Sequence, residues 1–503
     1  MKRSVALLLS LLLLISVVSG CKTLPDSYTD EEDSSLPEPA TSTPSSEPMD
    51  FTLGYSSDDT LNPYLTTTKL NLELAPLLFE GLTELDAEWT PQLMLASAVS
   101  QDDPLHPVVT LRSDALFSDG SPITAEDVAA SFTQAKSSAN YRALLSNVTG
   151  ATVSGSTITF TLAEPDPQFA SCLSFPILKS GGTDSLIGSG PYMLESDPAC
   201  LVRNPHHSET GMETIKLRPI TDDETLLYSL ESSTISFYFN DLSSGEIPRI
   251  SNANISIPLN YLVFIGIRSQ QADLDDPLVR QALNAAVNRT TIVESAFAGR
   301  AQPAVTPFSP IWKPAVELKG FSAGENLAVA VAQLEQAGYN TESGEGTDGR
   351  TLSLSLLYCG GNSFRQSTAL LLQQQFAKAG VTLELVDVSY DEYMRKLAAG
   401  EYDLYLGEIR LSANMSVSPF FRADGGAAYG IAAEGAAATA YRRYLADECT
   451  LQEFCDAFTA DVPFIPLCYR NGIVAYDRNL SGVSSTAFNL FYGIEKWRLA
   501  SGD

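Results

Sequence analysis

The sequence of 503 residues has only three histidines, His106, His206 and His207, and it lacks the motifs of the common catalytic sites. No GxSxG, HExxH, P-loop or dinucleotide-binding fingerprint occurs in it. A hydrolase without a histidine base near its nucleophile would need an unusual dyad. Adjacent histidines on a strand point to opposite faces, so His206 and His207 would make a poor chelating pair. We therefore predict that the protein is not an enzyme and that it carries neither a metal ion nor a cofactor.

Basic residues are also scarce, because 31 lysines and arginines stand against 61 acidic residues. The formal net charge is −30 at pH 7. This charge argues against binding to nucleic acid, or to an anionic membrane, through a basic surface. Acidic side chains also serve solubility, so the charge does not identify a cationic ligand.

Long hydrophobic runs are nearly absent, and the single one spans Ala6–Val18 behind two basic residues. It is shorter than the roughly 20 apolar residues of a membrane-spanning helix. It has the pattern of a signal peptide, which we place at residues 1–20. The run ends in VSGC at Cys21, which resembles the lipobox of bacterial lipoproteins. The resemblance implies that Cys21 is lipidated and anchors the chain at the extracytoplasmic face of the cell membrane. The alternative is a cleaved secretory signal with an incidental cysteine.

Residues 21–50 contain little apolar surface beyond the cysteine, since Ser, Thr, Pro, Asp and Glu make up almost the whole segment. Such a composition cannot offset the entropy of ordering the chain. We predict a disordered linker, extended by proline and by charge repulsion, that holds the folded part away from the membrane.

The remaining cysteines contain no CxxC pair, which makes a zinc or thioredoxin-like site a weak reading. Six cysteines allow fifteen pairings, so spacing alone does not select a disulfide pattern. Disulfides and free buried thiols both stay open. These six residues are Cys172, Cys200, Cys359, Cys449, Cys455 and Cys468.

The folded part mixes strand and helix patterns, which predicts the α/β class. Thr124 followed by Asp127 resembles a capping box and predicts a helix over Ala125–Gln134. The other predicted helices are Leu70–Phe79, kinked at Pro76, Pro277–Phe297 and Ser367–Ala379. The predicted strands are Phe51–Tyr55, Val108–Arg112, Thr157–Leu162 and Val381–Val386.

One segment carries a recognisable signature, Phe117–Val128 with the sequence FSDGSPITAEDV, which follows Thr110–Arg112. It resembles the family-5 solute-binding proteins of ABC importers, the group that binds oligopeptides, dipeptides and nickel. Other matches occur in the family's order. They are Leu61–Tyr64, Leu78–Gly81, Gly188–Tyr192, Arg203–Pro205, Asp276–Leu283, Gly299–Ala301, Tyr402–Leu404 and Val462–Leu467.

This resemblance implies a two-lobed periplasmic-binding-protein (flytrap) fold, type II or cluster C-like, with an added small domain. Ligand would lie between the lobes, and the closed form would be presented to the permease. Lobe I would comprise residues 51–78, 187–258 and 477–503. The added domain would comprise residues 79–186, and lobe II would comprise residues 259–476.

Peptide-binding relatives hold the ligand's amino group with an aspartate in a GWxxD loop of the second lobe. Here the matching stretch places Leu411 near that aspartate, which puts ordinary peptide recognition in doubt. If the preceding strand continues through Arg410, Glu408 and Arg410 project from one face. They would meet an amino and a carboxylate group, or they would pair with each other or with neighbours.

Further candidate ligand contacts lie in loops that line the cleft of relatives, with ordinary structural roles as the alternative. They are Tyr64, Thr66 and Thr67 after the first strand, and Tyr358, Asn362 and Tyr429 in the second lobe.

The resemblance implies a monomeric, lipid-anchored substrate-binding component that delivers a peptide or similar small organic solute to the permease and ATPase of an ABC importer. The alternatives are a surface sensor or adhesion lipoprotein with the same fold, and a binder of metal chelates.

Overall fold

The structure is a computed structural model that describes residues 50–181, 186–195, 200–207, 211–341 and 350–500. The predicted signal peptide, Cys21 and nearly all of the predicted linker lie outside the described residues. Within the described ranges, every helix is too short or too polar to cross a membrane.

A four-stranded sheet opens the described chain. Its first strand pairs in parallel with its neighbour, and the other two pairs are antiparallel. In spatial order its strands are Thr52–Tyr55, Thr214–Pro219, Cys200–Arg203 and Tyr192–Leu194. Trp497, near the end of the chain, is fully buried against Phe51 and Phe237, so the C-terminal segment returns to this part of the molecule.

A second four-stranded sheet is wholly antiparallel, in the order Ala96–Ser100, Val108–Leu111, Thr157–Leu162 and Val148–Ser154. Helix Ala125–Ser137 packs on it, with the Phe132 ring edge-on to that of Phe160. The predicted capping box is confirmed, because the Thr124 hydroxyl accepts from the Asp127 N–H and the Asp127 carboxylate accepts from the Thr124 N–H.

The largest sheet has seven strands, and two of them are long. Ala253–Ile267 and Phe464–Tyr476 pair antiparallel, with register shifts at 258–262 and 263–264. Their side chains alternate between two cores: Val263 and Ile265 face one, Leu262 and Phe264 the other. The other strands are Phe237–Asn240, Ala301–Pro303, Ser353–Cys359, Thr382–Val388 and Leu404–Arg410.

The remaining elements cover these sheets or join them. The helices are Lys69–Glu73, Ala75–Leu78, Asp223–Glu231, Pro277–Ala286, Arg289–Thr291, Leu327–Gln336, Ser363–Lys378, Tyr390–Ala399, Ser418–Phe421, Ala436–Leu445 and Leu451–Asp461, with a π-helical turn at Ile292–Ala296 and 3-10 turns at Phe169–Leu173, Lys313–Ala315 and Ile494–Lys496. Short strand pairs are Thr83–Leu85 with Pro91–Leu93, and Leu480–Ser481 with Arg498–Leu499.

The α/β class is confirmed, and one predicted helix is wrong in its extent. The helix expected over Pro277–Phe297 ends at Ala286, because Val287 is extended and Asn288 caps a new helix. The Asn288 N–H donates to the Gln375 side chain, a long-range contact that sequence periodicity does not report. The domain bounds given above stay a prediction. The six cysteines beyond Cys21 are free thiols in the structure.

Candidate ligand-binding cavity

A cavity of about 820 Å³ is walled by several separate parts of the chain. One wall comes from the helices at Lys69–Leu78, and another from Tyr141 and its neighbours after helix Ala125–Ser137. The large sheet supplies Leu259–Tyr261 and the chain from Arg410 to Ser416. This volume falls in the range of roughly 300–1,000 Å³ that is usual for small-molecule sites.

Arg410 ends strand Leu404–Arg410 and turns an exposed guanidinium into the cavity. It lies opposite Tyr261 in the antiparallel register, with its guanidinium carbon 5.7 Å from the centre of the Tyr261 ring. Across the described ranges, its guanidinium has neither a hydrogen bond nor an ion pair. A cation held on an aromatic face without a counter-ion is available to an anionic ligand group.

Glu408, two residues earlier on the same strand, is already paired. Its carboxylate lies 2.8 Å from the guanidinium of Arg470, which is only 2% exposed. Arg470 also donates to the carbonyl of Asp241 and lies 4.7 Å from the centre of the Tyr261 ring. Of the two alternatives given for Glu408, the structure thus shows pairing with a neighbour. Glu408 lies outside the lining of the large cavity.

Lys69 also lines the cavity, and its ammonium is paired with carboxylates. Its ammonium is 2.8 Å from Asp241 Oδ2 and 3.8 Å from Glu73 Oε1, and it sits over the ring of Phe239. Burial acts to raise the pKa of Asp241, but the Lys69 charge and hydrogen bonds lower that pKa to about 2. Asp241 is consequently an anion neutralised within the protein.

The sequence profile of the bacterial extracellular solute-binding proteins, family 5, matches residues 88–427. The chain belongs to this family. It is 28% identical to the glutathione-binding protein GsiB of Salmonella typhimurium over 352 residues, which are 65% of this chain and 67% of that one. The family consists of extracytoplasmic transport-binding proteins of ABC importers.

Solved structures share the two-lobed fold of this family-5 protein. A nickel ABC transporter protein from Bacillus halodurans has a TM-score of 0.72 at 20% identity, with 88% of this chain and 98% of that chain covered. The periplasmic murein tripeptide-binding protein MppA, in an unliganded open form, has a TM-score of 0.71 at 18% identity, with 90% and 97% covered. At such identities the likeness establishes the fold alone.

The candidate residues after the first strand have internal partners in this family-5 protein. Tyr64 is buried, and its hydroxyl donates to the carbonyl of Pro176. The Thr66 hydroxyl and the Thr67 N–H both donate to the carboxylate of Asp59, at 2.6 and 2.8 Å. All three lie outside the lining of the large cavity, and ligand contact by them stays a prediction.

The candidates that were predicted for the second lobe also have contacts within the protein. Asn362 caps helix Ser363–Lys378 and donates to the carbonyl of Ser243 at 2.9 Å. Tyr358 is buried, and Tyr429 packs edge-on against Tyr405. None of the three lines the large cavity, and their contact with ligand also stays a prediction.

Sequence reasoning missed two cavity residues, Tyr141 and Tyr261. Tyr261 directly precedes the apolar run Leu262–Ile267 and could have been found as a cross-strand neighbour of Arg410 once the pairing was known. No sequence motif points to Tyr141. Leu411, at the position of the expected aspartate, is buried, and its N–H donates to the carbonyl of Asn260 at 2.9 Å.

Of the adjacent histidines, His207 is paired with a carboxylate. His207 Nε2 is 3.2 Å from Glu80 Oε1 at the edge of the cavity. Burial acts to lower the pKa of His207, but Glu80 raises it, and the net direction is upward. Across the residues that the structure describes, no three His, Cys, Asp or Glu side chains form a group able to hold a metal ion.

Proposed function

We propose that this protein captures a short peptide, or a small organic solute of similar size, in the large cavity and delivers it to an ABC permease. The observation that carries this proposal is the exposed, unpaired Arg410 guanidinium in a cavity of about 820 Å³ walled by separate parts of the chain. The Salmonella relative, which is named as a glutathione-binding protein, supports a peptide-like solute.

Capture would proceed by closure of the walls around the solute. The long strands Ala253–Ile267 and Phe464–Tyr476 connect the first core to the cores of the large sheet, and their register shifts provide places to bend. A ligand that contacts both walls favours the closed form by its extra contacts in that form.

Recognition of the ligand's amino group would differ from that of typical peptide-binding relatives. Leu411 supplies no carboxylate, and Glu408 and Asp241 are committed to Arg470 and Lys69. We therefore expect a ligand selected mainly through its anionic group and its shape rather than through a free amino group.

The anchor and partners are part of the same proposal. A lipid on Cys21 would hold the protein at the extracytoplasmic face of the membrane. There it would act as a monomer beside the permease and ATPase subunits of its importer.

The test is native mass spectrometry of the full chain, purified in detergent without added ligand and then denatured to release what it has captured. Release of short peptides or of one small organic molecule supports the proposal. A released metal chelate would instead identify a chelate importer. Protein that is empty, and that stays empty against a peptide and metabolite library, would favour a sensor or adhesin.

A further inference from the structure

The cations that line the large cavity differ in one respect, which is whether a carboxylate neutralises them. Lys69 pairs with Asp241, and Arg422 with Asp424 at 3.1 Å. The other paired cations are His207, with Glu80 at 3.2 Å, and Lys496, with Glu495 at 3.8 Å. Arg410 has no carboxylate within 4 Å among the described residues, so it is the cavity's uncompensated positive charge.

Tyr141 lines the same cavity from another part of the chain. Its ring packs edge-on against buried Tyr64, with 5.4 Å between the ring centres. The preceding Asn140 donates to the carbonyls of Pro63 and Thr66 at 3.0 Å, which fixes this turn of the chain. The Tyr141 hydroxyl itself has no hydrogen bond to any described residue. The ring is therefore fixed by its packing, while its hydroxyl is available to a ligand.

Tyr261 lies beneath the Arg410 guanidinium. The ring receives the Arg410 guanidinium at 5.7 Å and the Arg470 guanidinium at 4.7 Å from its centre. Arg470 is in turn fixed by Glu408 at 2.8 Å. Because Tyr261 and Arg470 lie on paired strands, the ring beneath the Arg410 guanidinium is held in place.

We propose that Arg410 and Tyr141 form a subsite for a carboxylate group of the ligand. The planar guanidinium accepts a carboxylate with two parallel hydrogen bonds, and the phenol supplies a third donor from the facing wall. A carboxylate held in this way joins two walls of the cavity. The inference rests on the proposed function, since it specifies the ligand group that the capture site selects.

Electrostatics agrees with a donating phenol. Burial raises the pKa of Tyr141, and the nearby Arg410 charge offsets this only in part. The hydroxyl is therefore protonated at neutral pH and can donate a hydrogen bond to an anion. Neutral amides cannot replace a carboxylate here, because they leave the Arg410 charge uncompensated.

The experiment measures binding of acid and amide probes to the full chain in detergent. One set contains di- to pentapeptides, the other contains aliphatic mono- and dicarboxylic acids, and every acid is matched by its primary amide. Binding is ranked by native mass spectrometry, and the Kd of each hit is measured by calorimetry. We expect the acid of a binding pair to bind at least about tenfold more tightly than its amide.

The variants assign that preference to the subsite. Arg410→Gln should abolish it by lowering the affinity for the acid, Arg410→Lys should keep part of it, and Tyr141→Phe should reduce it about threefold. Arg442→Gln and Tyr228→Phe are the matched controls, since Arg442 is paired with Glu434 on the surface and Tyr228 is 70% exposed. Neither control residue lines the cavity.

The outcomes separate this inference from the proposed function. Acids and amides that bind equally, or an acid preference that survives Arg410→Gln, would overturn the subsite and leave solute capture intact. Binding of amides alone would do the same. If no acid of either set binds and the purified protein releases no carboxylate-bearing molecule, the subsite is wrong. If no solute of any kind binds or is released, the proposed function falls as well.

Discussion

Two regions predicted to contact ligand contain similar polar residues, yet they use them differently. In the loop after the first strand, Asp59 accepts hydrogen bonds from Thr66, Thr67 and Thr68, so these threonines hold the loop together. At the end of strand Leu404–Arg410, the Arg410 guanidinium lies on the Tyr261 ring and has no counter-ion among the described residues. The first region satisfies its polar groups internally, whereas the second leaves a charge for a ligand.

This contrast also appears within each region. Glu408 and Arg410 lie on one face of one strand, but only Glu408 has a counter-ion. Tyr64 and Tyr141 pack on each other, but only Tyr64 donates its hydroxyl within the protein. We therefore expect ligand contacts where polar groups lack internal partners among the described residues, rather than where residue type or the family pattern alone would place them.

The largest loss of stability is expected at the buried ion pair of Glu408 and Arg470. Glu408→Gln removes the counter-ion of Arg470, which is 2% exposed, and leaves a buried charge uncompensated. We expect the free energy of unfolding to fall by about 3 kcal/mol, measured by urea denaturation. Arg410→Gln, two residues away and exposed, should change it by less than about 0.5 kcal/mol. Equal losses for the two variants would contradict the division into structural and ligand-binding charges.

The Asp59 loop should give the next largest effect. Asp59→Ala removes an acceptor of four hydrogen bonds from Thr66, Thr67 and Thr68, at 2.6 to 2.9 Å. We expect a loss of about 2 kcal/mol in the free energy of unfolding, followed by urea denaturation. Asp58→Ala, at the exposed neighbouring position, is the control and should have almost no effect. An Asp59→Ala protein as stable as the control would show that the threonines do not depend on this carboxylate.

The sequence placed Glu408 and Arg410 on one face, on the condition that the strand continues through Arg410, because a period of two is a local signal, and the strand does extend to Arg410. It also predicted the Thr124 capping box, which involves residues three apart. The partners of Glu408 and of Thr66 were not predictable, since Arg470 and Asp59 reach them through the folded chain. Tyr141 was missed for the same reason. Local pattern gives the elements, but the difference between a paired and an unpaired polar group arises from tertiary contacts.

A smaller loss of stability is expected at the edge-on pair of Tyr64 and Tyr141. Tyr64→Phe leaves the carbonyl of Pro176 without the buried hydroxyl donor, so we expect a loss of about 1 kcal/mol in the free energy of unfolding. Tyr141→Phe removes a hydroxyl that has no hydrogen bond to any described residue, and stability should stay within about 0.3 kcal/mol. Thermal unfolding of both variants measures the difference. A larger loss for Tyr141→Phe would mean that its hydroxyl already has a structural partner.

The smallest expected effect concerns a paired cation at the edge of the cavity. The carboxylate of Glu80, with those of Glu495 and Glu84 nearby, raises the pKa of His207 above its ordinary 6.5 despite burial. Because the folded state holds the proton more tightly, this stabilisation is complete below pH 6.5 and is lost as pH rises through the raised pKa. His207→Gln should therefore flatten the decline in stability above pH 6.5, by less than about 1 kcal/mol, in urea denaturation curves measured from pH 5.5 to 9. His106→Gln is the control, since His106 is an exposed partner of Asp103 outside the cavity. A slope unchanged by His207→Gln would place His207 with Arg410 among the groups not committed to internal pairing, and would extend the ligand-facing region to this side of the cavity.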